Sequence, residues 1–116
     1  NNLIGVIGVP GDRTNKMMRD IGKLCGESMD RVIIKEDKDR RGREINEVAK
    51  LIEEGVKESN CKDCRVILDE VEALRKSLSS STIGDTIIVF YDELEPLVEL
   101  IKEYKHEEDN LNLANL

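Results

Sequence analysis

A continuous apolar run near the start of the chain limits its fold more than any other feature. Residues 3–9 read Leu-Ile-Gly-Val-Ile-Gly-Val without a polar side chain, and Pro10-Gly11 follows. A strand with one face in water alternates apolar and polar residues, whereas an uninterrupted run is typical of a strand covered on both faces. The run therefore predicts a central strand with helices above and below it.

The rest of the chain repeats an alternation of strand and helix. Apolar residues at three- and four-residue steps predict helices, and short aliphatic runs predict strands. After the first strand we predict a helix over 14–26, a strand over 31–35, a helix with its apolar face over 45–56, a strand over 65–68, a helix capped by Asp69, a strand over 86–91 and a helix that begins at Pro96. Four successive strand–helix units require right-handed crossovers between parallel strands. The sequence thus predicts an α/β fold: a Rossmann-like, three-layer open sheet, mostly parallel, with helices on both faces.

Charge and composition disfavour several classes of partner. The 116 residues include 25 acidic and 18 basic side chains, a net charge of −7, with one Phe, two Tyr and no Trp. Such a chain repels a phosphate backbone and offers little stacking on bases, so we expect no nucleic-acid partner. No apolar run reaches the roughly 20 residues of a membrane helix, and an odd number of cysteines does not suggest a disulfide framework, so we expect a cytoplasmic protein.

Ligands of open parallel sheets bind beyond the carboxyl ends of the strands, where this chain has three loops. The loops are residues 10–15, 36–44 and 92–95. The first loop opens a helix, where backbone N–H groups favour an anion, but its glycine spacing is neither the dinucleotide fingerprint nor a Walker A loop. Asp12 could accept a hydrogen bond from a ribose hydroxyl and Arg13 could pair with a phosphate. Equally, Asp12 could be a turn or capping residue and Arg13 a solvated charge.

The second and third loops are densely charged. Residues 36–44 carry four acidic and four basic side chains, so the loop could grip a substrate that bears both signs, or it could be a solvated charge run. In the third loop, Asp92, Glu93 and Glu95 could hold a cationic amino acid or help organise Mg²⁺. The alternative there is capping of the last helix by Asp92 or Glu95.

The pair Cys61 and Cys64 does not predict a zinc site. A tetrahedral site needs four ligands, and the chain offers no second Cys-x-x-Cys pair and a single histidine, His106. We therefore expect no metal site and two surface thiols.

Four segments of the chain together resemble one family. They are residues 5–13, 30–43, 67–70 and 84–92. In this order they closely resemble the C-terminal domain of the Mur ligase family, in the form that occurs in cyanophycin synthetases. The resemblance covers residues 3–104, and its most specific part is the stretch Glu-Asp-Lys-Asp-x-Arg-Gly-Arg at 36–43.

The resemblance implies an ATP-dependent ligase that adds arginine to the side-chain carboxylates of a poly-aspartate backbone through an acyl phosphate. This domain would be a lid on the central ATPase domain of the parent chain. Its partners would be that ATPase domain, arginine and the poly-aspartate primer. ATP and Mg²⁺ would be bound mainly by the preceding domain, and the isolated chain would be inactive. Residues 1–106 would form the lid, and residues 107–116 would form a C-terminal tail. The lid would lack the family's first strand–helix unit, and the sheet edge exposed by this loss would favour a homo-oligomer.

The resemblance also implies roles for individual residues. Gly11, Asp12 and Arg13 match a Gly-Asp-Arg loop that faces the nucleotide. The second loop falls where Mur ligases grip the incoming amino acid with Asp-Asn-Pro-Arg. The third replaces a basic Gly-Lys-Gly-His-Glu loop with an acidic one that suits a guanidinium group. The substrate-binding candidates are Asp37, Lys38, Asp39, Arg40, Arg43, Asp92, Glu93 and Glu95.

Two other functions are compatible with this fold. A flavodoxin-like or receiver-like interaction module shares the strand–helix alternation, because a fold does not fix a function. A phosphoreceiver needs an acidic pair after the first strand, where this chain has Pro10-Gly11, and only Asp69 after the third strand matches the pattern. The other alternative is a Mur-type ligase directed at folate or peptidoglycan, which the charged segment 37–43 disfavours.

Overall fold

In the computed structural model, a four-stranded sheet lies between two layers of helix. The backbone is described for residues 1–114 and the side chains for residues 1–105. The elements are β1 (Leu3–Ile7), α1 (Asn15–Ser28), β2 (Arg31–Ile34), α2 (Glu47–Lys57), β3 (Asp63–Val66), α3 (Glu70–Ser80), β4 (Thr86–Val89) and α4 (Leu94–Ala114). The predicted α/β fold with helices on both faces is confirmed.

The sheet is parallel throughout, in the order β3-β2-β1-β4. Ile7 on one face of β1 packs with Met18 of α1 and Ile52 of α2, whereas Val6 on the other face packs with Ala73 of α3. Ile4, Val6 and Ile7 are completely buried, as the apolar run predicts. Because all strands run the same way, the loops after β1, β2, β3 and β4 meet at one end of the sheet.

Several predicted boundaries are wrong. The third strand begins at Asp63 rather than residue 65, because Arg31 of β2 donates a 2.8 Å hydrogen bond to the Asp63 carboxylate and anchors a segment that reads as polar. The fourth strand ends at Val89 rather than residue 91. The last helix begins at Leu94, so Pro96 lies inside its first turn, where its missing N–H costs nothing. Residues 107–114 of the predicted tail 107–116 continue helix α4, which ends at Ala114. The side chains of the tail lie outside the described residues.

Helices α1 and α2 approach each other closely through glycines. A Cβ atom on Gly22 of α1 would collide with the carbonyl oxygen of Ile52, and one on Gly55 of α2 would collide with the carbonyl oxygen of Arg19. Neither obstacle is a flexible side chain that could move aside. The two glycines therefore let the helix backbones pack directly against each other over the sheet.

We expect Gly55→Ala to lower the free energy of unfolding by about 1 to 2 kcal/mol, because overpacking against the α1 backbone outweighs the helix propensity gained. Denaturant unfolding measures the change. Lys50→Ala, on the exposed side of the same helix, should leave stability unchanged within about 0.5 kcal/mol. A Gly55→Ala variant more stable than the parent would contradict this close packing.

Candidate functional site

A cleft of about 360 Å³ opens at the carboxyl ends of the strands. The loops after β2, β3 and β4 and the first turns of α3 and α4 form its walls. Its ionisable lining consists of six acidic and two basic residues: Glu36, Asp37, Asp69, Glu70, Asp92, Glu93, Lys38 and Arg40. The second and third charged loops of the sequence, 54 residues apart at Lys38 and Asp92, therefore form one site with an excess of negative charge.

A buried lysine lies beneath this cleft. Lys35 follows the last residue of β2 and is 0% exposed. Its Nζ donates to Asp37 Oδ1 at 2.8 Å and lies 2.7 Å from Glu70 Oε2. Gly8, the residue after β1, makes room for the side chain, since a Cβ there would lie 2.9 Å from Lys35 Cε. The lysine thus joins the loop after β2 to the start of α3.

Glu70 connects the lysine to the third loop. Its carboxylate accepts hydrogen bonds from the backbone N–H groups of Asp92 at 2.6 Å and Glu93 at 3.1 Å. Asp92 Oδ2 in turn accepts from the backbone N–H of Lys38 at 3.0 Å. The pKa of Lys38 is raised above its usual value, chiefly by its hydrogen bond to Glu93. The two charged loops are therefore linked to each other and to α3.

Lys35 and Glu70 were not among the sequence-predicted site residues. A lysine directly after a buried aliphatic strand, with glycine in the neighbouring strand, is the sequence signal for the first. Glu70 reads as an ordinary acidic residue in the first turn of a helix, because its contact with residues 92 and 93 depends on the tertiary fold.

Glu36 has a structural role at the start of α2. It is only 7% exposed, and its carboxylate accepts from the backbone N–H groups of Asn46 at 3.0 Å and Ala49 at 2.9 Å. Asn46, the N-terminal cap residue of α2, makes no cap with its own side chain. Arg40 Nε lies 3.6 Å from Glu36 Oε1, and among the described residues this buried nitrogen has no hydrogen-bond acceptor. The Arg40 side chain is 39% exposed and lines the cleft, so this cation borders the site.

The first loop lies outside the cleft and is held by Arg43. The Arg43 guanidinium donates to the carbonyl oxygens of Gly11 at 2.9 Å and Arg13 at 2.7 Å, and to Asn15 Oδ1 at 2.6 Å. It also pairs with Glu47 at 2.9 Å. Arg43 thus uses its hydrogen-bond donors within the protein and fixes the loop after β1 against the loop after β2.

The structure divides the sequence-predicted site residues into two groups. One group lines the cleft: Asp37, Lys38, Arg40, Asp92 and Glu93. The other group lies outside its lining: Gly11, Asp12, Arg13, Asp39, Arg43 and Glu95. In the second group, Asp12 pairs with Arg13 at 3.1 Å and Asp39 pairs with Arg41 at 3.0 Å. The roles of both groups stay predictions.

The cysteines are less exposed than the prediction of two surface thiols implies. Cys61 and Cys64 are half-buried and pack against the core beneath α1 and α2. Burial raises the pKa of Cys64 to about 11, so its thiol is protonated at neutral pH.

Within the described part of the chain, no three residues of the metal-binding types cluster to hold an ion. No helix in that part has the length and apolar composition to cross a membrane.

Comparisons with known proteins identify relatives of the chain. No protein-family model matches it. It is 39% identical over 102 residues to the cyanophycin synthetase of Synechocystis sp., a match that covers 87% of this chain and 12% of that protein. It is 37% identical over 99 residues to the cyanophycin synthetase of Crocosphaera subtropica, covering 84% of this chain and 11% of that protein. It is 36% identical over 84 residues to the UDP-N-acetylmuramoyl-L-alanyl-D-glutamate--2,6-diaminopimelate ligase of Caldanaerobacter subterraneus. That match covers 72% of this chain and 17% of that protein.

The fold and these matches together show an α/β domain that is similar to one segment of these ligases. Within that class the chain is homologous to cyanophycin synthetases, with 36–39% identity over most of its length. It spans about 12% of the length of the cyanophycin synthetases of Synechocystis sp. and Geminocystis herdmanii. The resemblance in the sequence is thereby confirmed.

We expect Arg43→Ala to lower the free energy of unfolding by about 2 kcal/mol, because it leaves the carbonyl groups of Gly11 and Arg13 without their charged donor. Arg41→Ala is the matched control. That side chain is half-exposed and its ion pairs should contribute about 0.5 kcal/mol or less. Equal losses in the two variants would show that Arg43 is not an internal clasp.

Proposed function

We propose that the chain is the C-terminal lid domain of a cytoplasmic ATP-dependent amide ligase that adds arginine to the side-chain carboxylates of a poly-aspartate backbone. The observation that carries this proposal is the acidic cleft at the carboxyl ends of the strands, in a chain homologous to cyanophycin synthetases. The reaction would activate the β-carboxylate as an acyl phosphate, which the α-amino group of arginine then attacks. ATP and Mg²⁺ would be held mainly by the adjoining ATPase domain, so the isolated chain would be inactive.

Charge and size support arginine as the ligand of the cleft. The volume of the cleft, about 360 Å³, lies in the range of small-molecule sites. Six carboxylates against two surface cations attract a guanidinium group, which Asp92 and Glu93 would receive at the outer wall. Arg40, a cation in the lining of the same cleft, would pair with the α-carboxylate of the amino acid.

The first loop would face the nucleotide in the closed enzyme. Thr14 caps α1, so the N–H groups that follow Asp12 and Arg13 are presented at a helix N-terminus, which favours phosphate. Arg43 fixes this loop beside the cleft, and closure of the lid would bring nucleotide and arginine into one reaction geometry. Asp39 and Glu95, outside the cleft lining, remain substrate-binding candidates for this closed state.

A Mur-type ligase with another substrate is the second candidate. The 36% identity to the diaminopimelate ligase favours it, since the aligned segment covers 72% of this chain. The receiver-like alternative has lost its main support. Asp69 caps α3, with its carboxylate accepting from the backbone N–H of Glu72 at 2.9 Å, so helix capping accounts for an aspartate at that position.

Titration of the ¹⁵N-labelled chain with arginine tests the proposal. We expect arginine to shift the amide signals of the cleft, and citrulline, its uncharged analogue, to leave them in place. Asp92→Asn/Glu93→Gln should weaken arginine binding by about tenfold, because each exposed charge pair contributes up to about 1 kcal/mol. Glu99→Gln/Glu103→Gln removes the same charge from exposed positions of α4 outside the cleft and should have little effect.

Equal binding of arginine and citrulline would remove the charge argument, and arginine binding that survives Asp92→Asn/Glu93→Gln would move the site elsewhere. Agmatine, which lacks the carboxylate, tests Arg40 separately. Agmatine should bind the parent chain more weakly than arginine does. In the Arg40→Ala variant, agmatine and arginine should bind with equal affinity. Preference for a diaminopimelate-type amino acid over arginine would favour the second candidate.

We further propose that the chain self-associates through β4. Within the described residues β4 pairs with β1 alone, which leaves its other edge without a strand, and Ile88 on it is 39% exposed. Exposed Met17 and Leu24 lie on the flank of α1 opposite the glycines that face α2, and so on the side of β4. Open edges beside apolar surface favour pairing between copies.

We expect the mass measured by light scattering to rise with concentration, and Ile88→Lys to suppress the rise, because a charge on an edge strand opposes pairing. Ile83→Lys is the control, since Ile83 is 98% exposed and precedes the strand. A monomer at all concentrations, or equal suppression by both variants, would exclude this edge as the interface.

A further inference from the structure

We propose that Lys35 and Glu70 are positioning residues that fix the carboxylates of Asp92 and Glu93 in the cleft before a cationic ligand arrives. This inference rests on the proposed role of the cleft as the arginine site. It assigns function to a buried network that neither the sequence motifs nor the named relatives point to.

The geometry of Glu70 is the first argument. One carboxylate accepts two hydrogen bonds, from the N–H groups of Asp92 and Glu93 at 2.6 and 3.1 Å, and forms an ion pair with Lys35 Nζ at 2.7 Å. Both oxygens of Glu70 are therefore occupied within the protein. Two consecutive amides held by one rigid acceptor fix the backbone from which the Asp92 and Glu93 side chains extend.

Charge balance is the second argument. Asp37 and Glu70 are both largely buried, with side chains 15% and 11% exposed, and two carboxylates so placed would repel each other. Lys35 Nζ lies between them in contact with both. Because removal of one partner leaves a buried charge uncompensated, the lysine is required to keep Glu70 in place.

The division of work in the cleft is the third argument. The inner groups, Lys35, Asp37 and Glu70, bind one another, and Lys35 is inaccessible to a ligand. The outer groups, Asp92 and Glu93, are exposed, and each has one carboxylate oxygen in contact with Lys38: Asp92 Oδ2 accepts from its backbone N–H at 3.0 Å, and Glu93 Oε1 lies 3.1 Å from its Nζ. A site whose charged groups are ordered in advance binds its ligand with a smaller entropic cost. The inner network would therefore raise the affinity for a cation without touching it.

Glu70→Gln tests this role, with Glu72→Gln as the matched control. Glu72 lies in the same helical turn but is exposed and pairs only with Arg75. In the ligand-free chain, Glu70→Gln should accelerate hydrogen exchange of the Asp92 and Glu93 amides by about ten- to a hundredfold, the effect of losing hydrogen bonds to a charged acceptor. It should also weaken arginine binding by about fivefold, although both outer carboxylates are retained. The control should change neither quantity.

The two readouts separate the possible failures. Unchanged exchange at residues 92 and 93 would overturn the positioning role, as would faster exchange with unchanged arginine affinity. If the parent chain binds no arginine, the proposed function fails, whereas the exchange data still report whether Glu70 holds the loop. Should Glu70→Gln not fold, the parent chain decides the question. Its Asp92 and Glu93 amides should be protected like that of Phe90, which donates to the Val6 carbonyl, and lack of protection would overturn the proposal.

Discussion

The loops at the functional end of the sheet depend on one buried cation. Lys35 follows the end of β2, passes Gly8 just after β1, and binds carboxylates from its own loop and from the start of α3. Through Glu70 the same network reaches the backbone of the loop after β4. A fully buried charge is tolerated only where its partners are close and well oriented, so the network constrains the positions of all three segments at once.

A second cation gives order to the other half of this surface. Arg43 binds carbonyl oxygens of the loop after β1, as Lys35 binds carboxylates near the loop after β4. Both side chains start from the segment that follows β2, which lies between β1 and β3 in the sheet. The Glu-Asp-Lys-Asp-x-Arg-Gly-Arg stretch and the lysine before it therefore organise the loops on both sides, and part of the charge that suggests substrate binding is used for support.

Much of the fold could be predicted from local patterns. The uninterrupted run 3–9 identified the central strand, and Asp69 with Glu72 three residues later identified the start of α3, because caps and periodicity act over a few residues. The third strand was predicted, but its start at Asp63 could not be, since it depends on a cross-strand hydrogen bond from Arg31. The cleft was predicted as separate loops, but Glu70 was missed because its partners lie 22 and 23 residues away. Asp37, Lys38, Arg40, Asp92 and Glu93 line the cleft because each lies in a loop that follows a strand, which local patterns do predict; their roles stay predictions.

Groups that the fold leaves unused indicate how the surface would act. Glu36 caps α2, Arg43 clasps the first loop and Glu70 holds the third, so these charges have little capacity left for a ligand. Arg40 and the outer carboxylates differ, because they line the cleft and remain at least partly exposed. A positive group would meet Asp92 and Glu93, and a negative group would meet Arg40 on the opposite loop. Such separation of charge across one cleft suits an amino acid with a cationic side chain better than a ligand of a single sign, and it requires the supporting network to be intact.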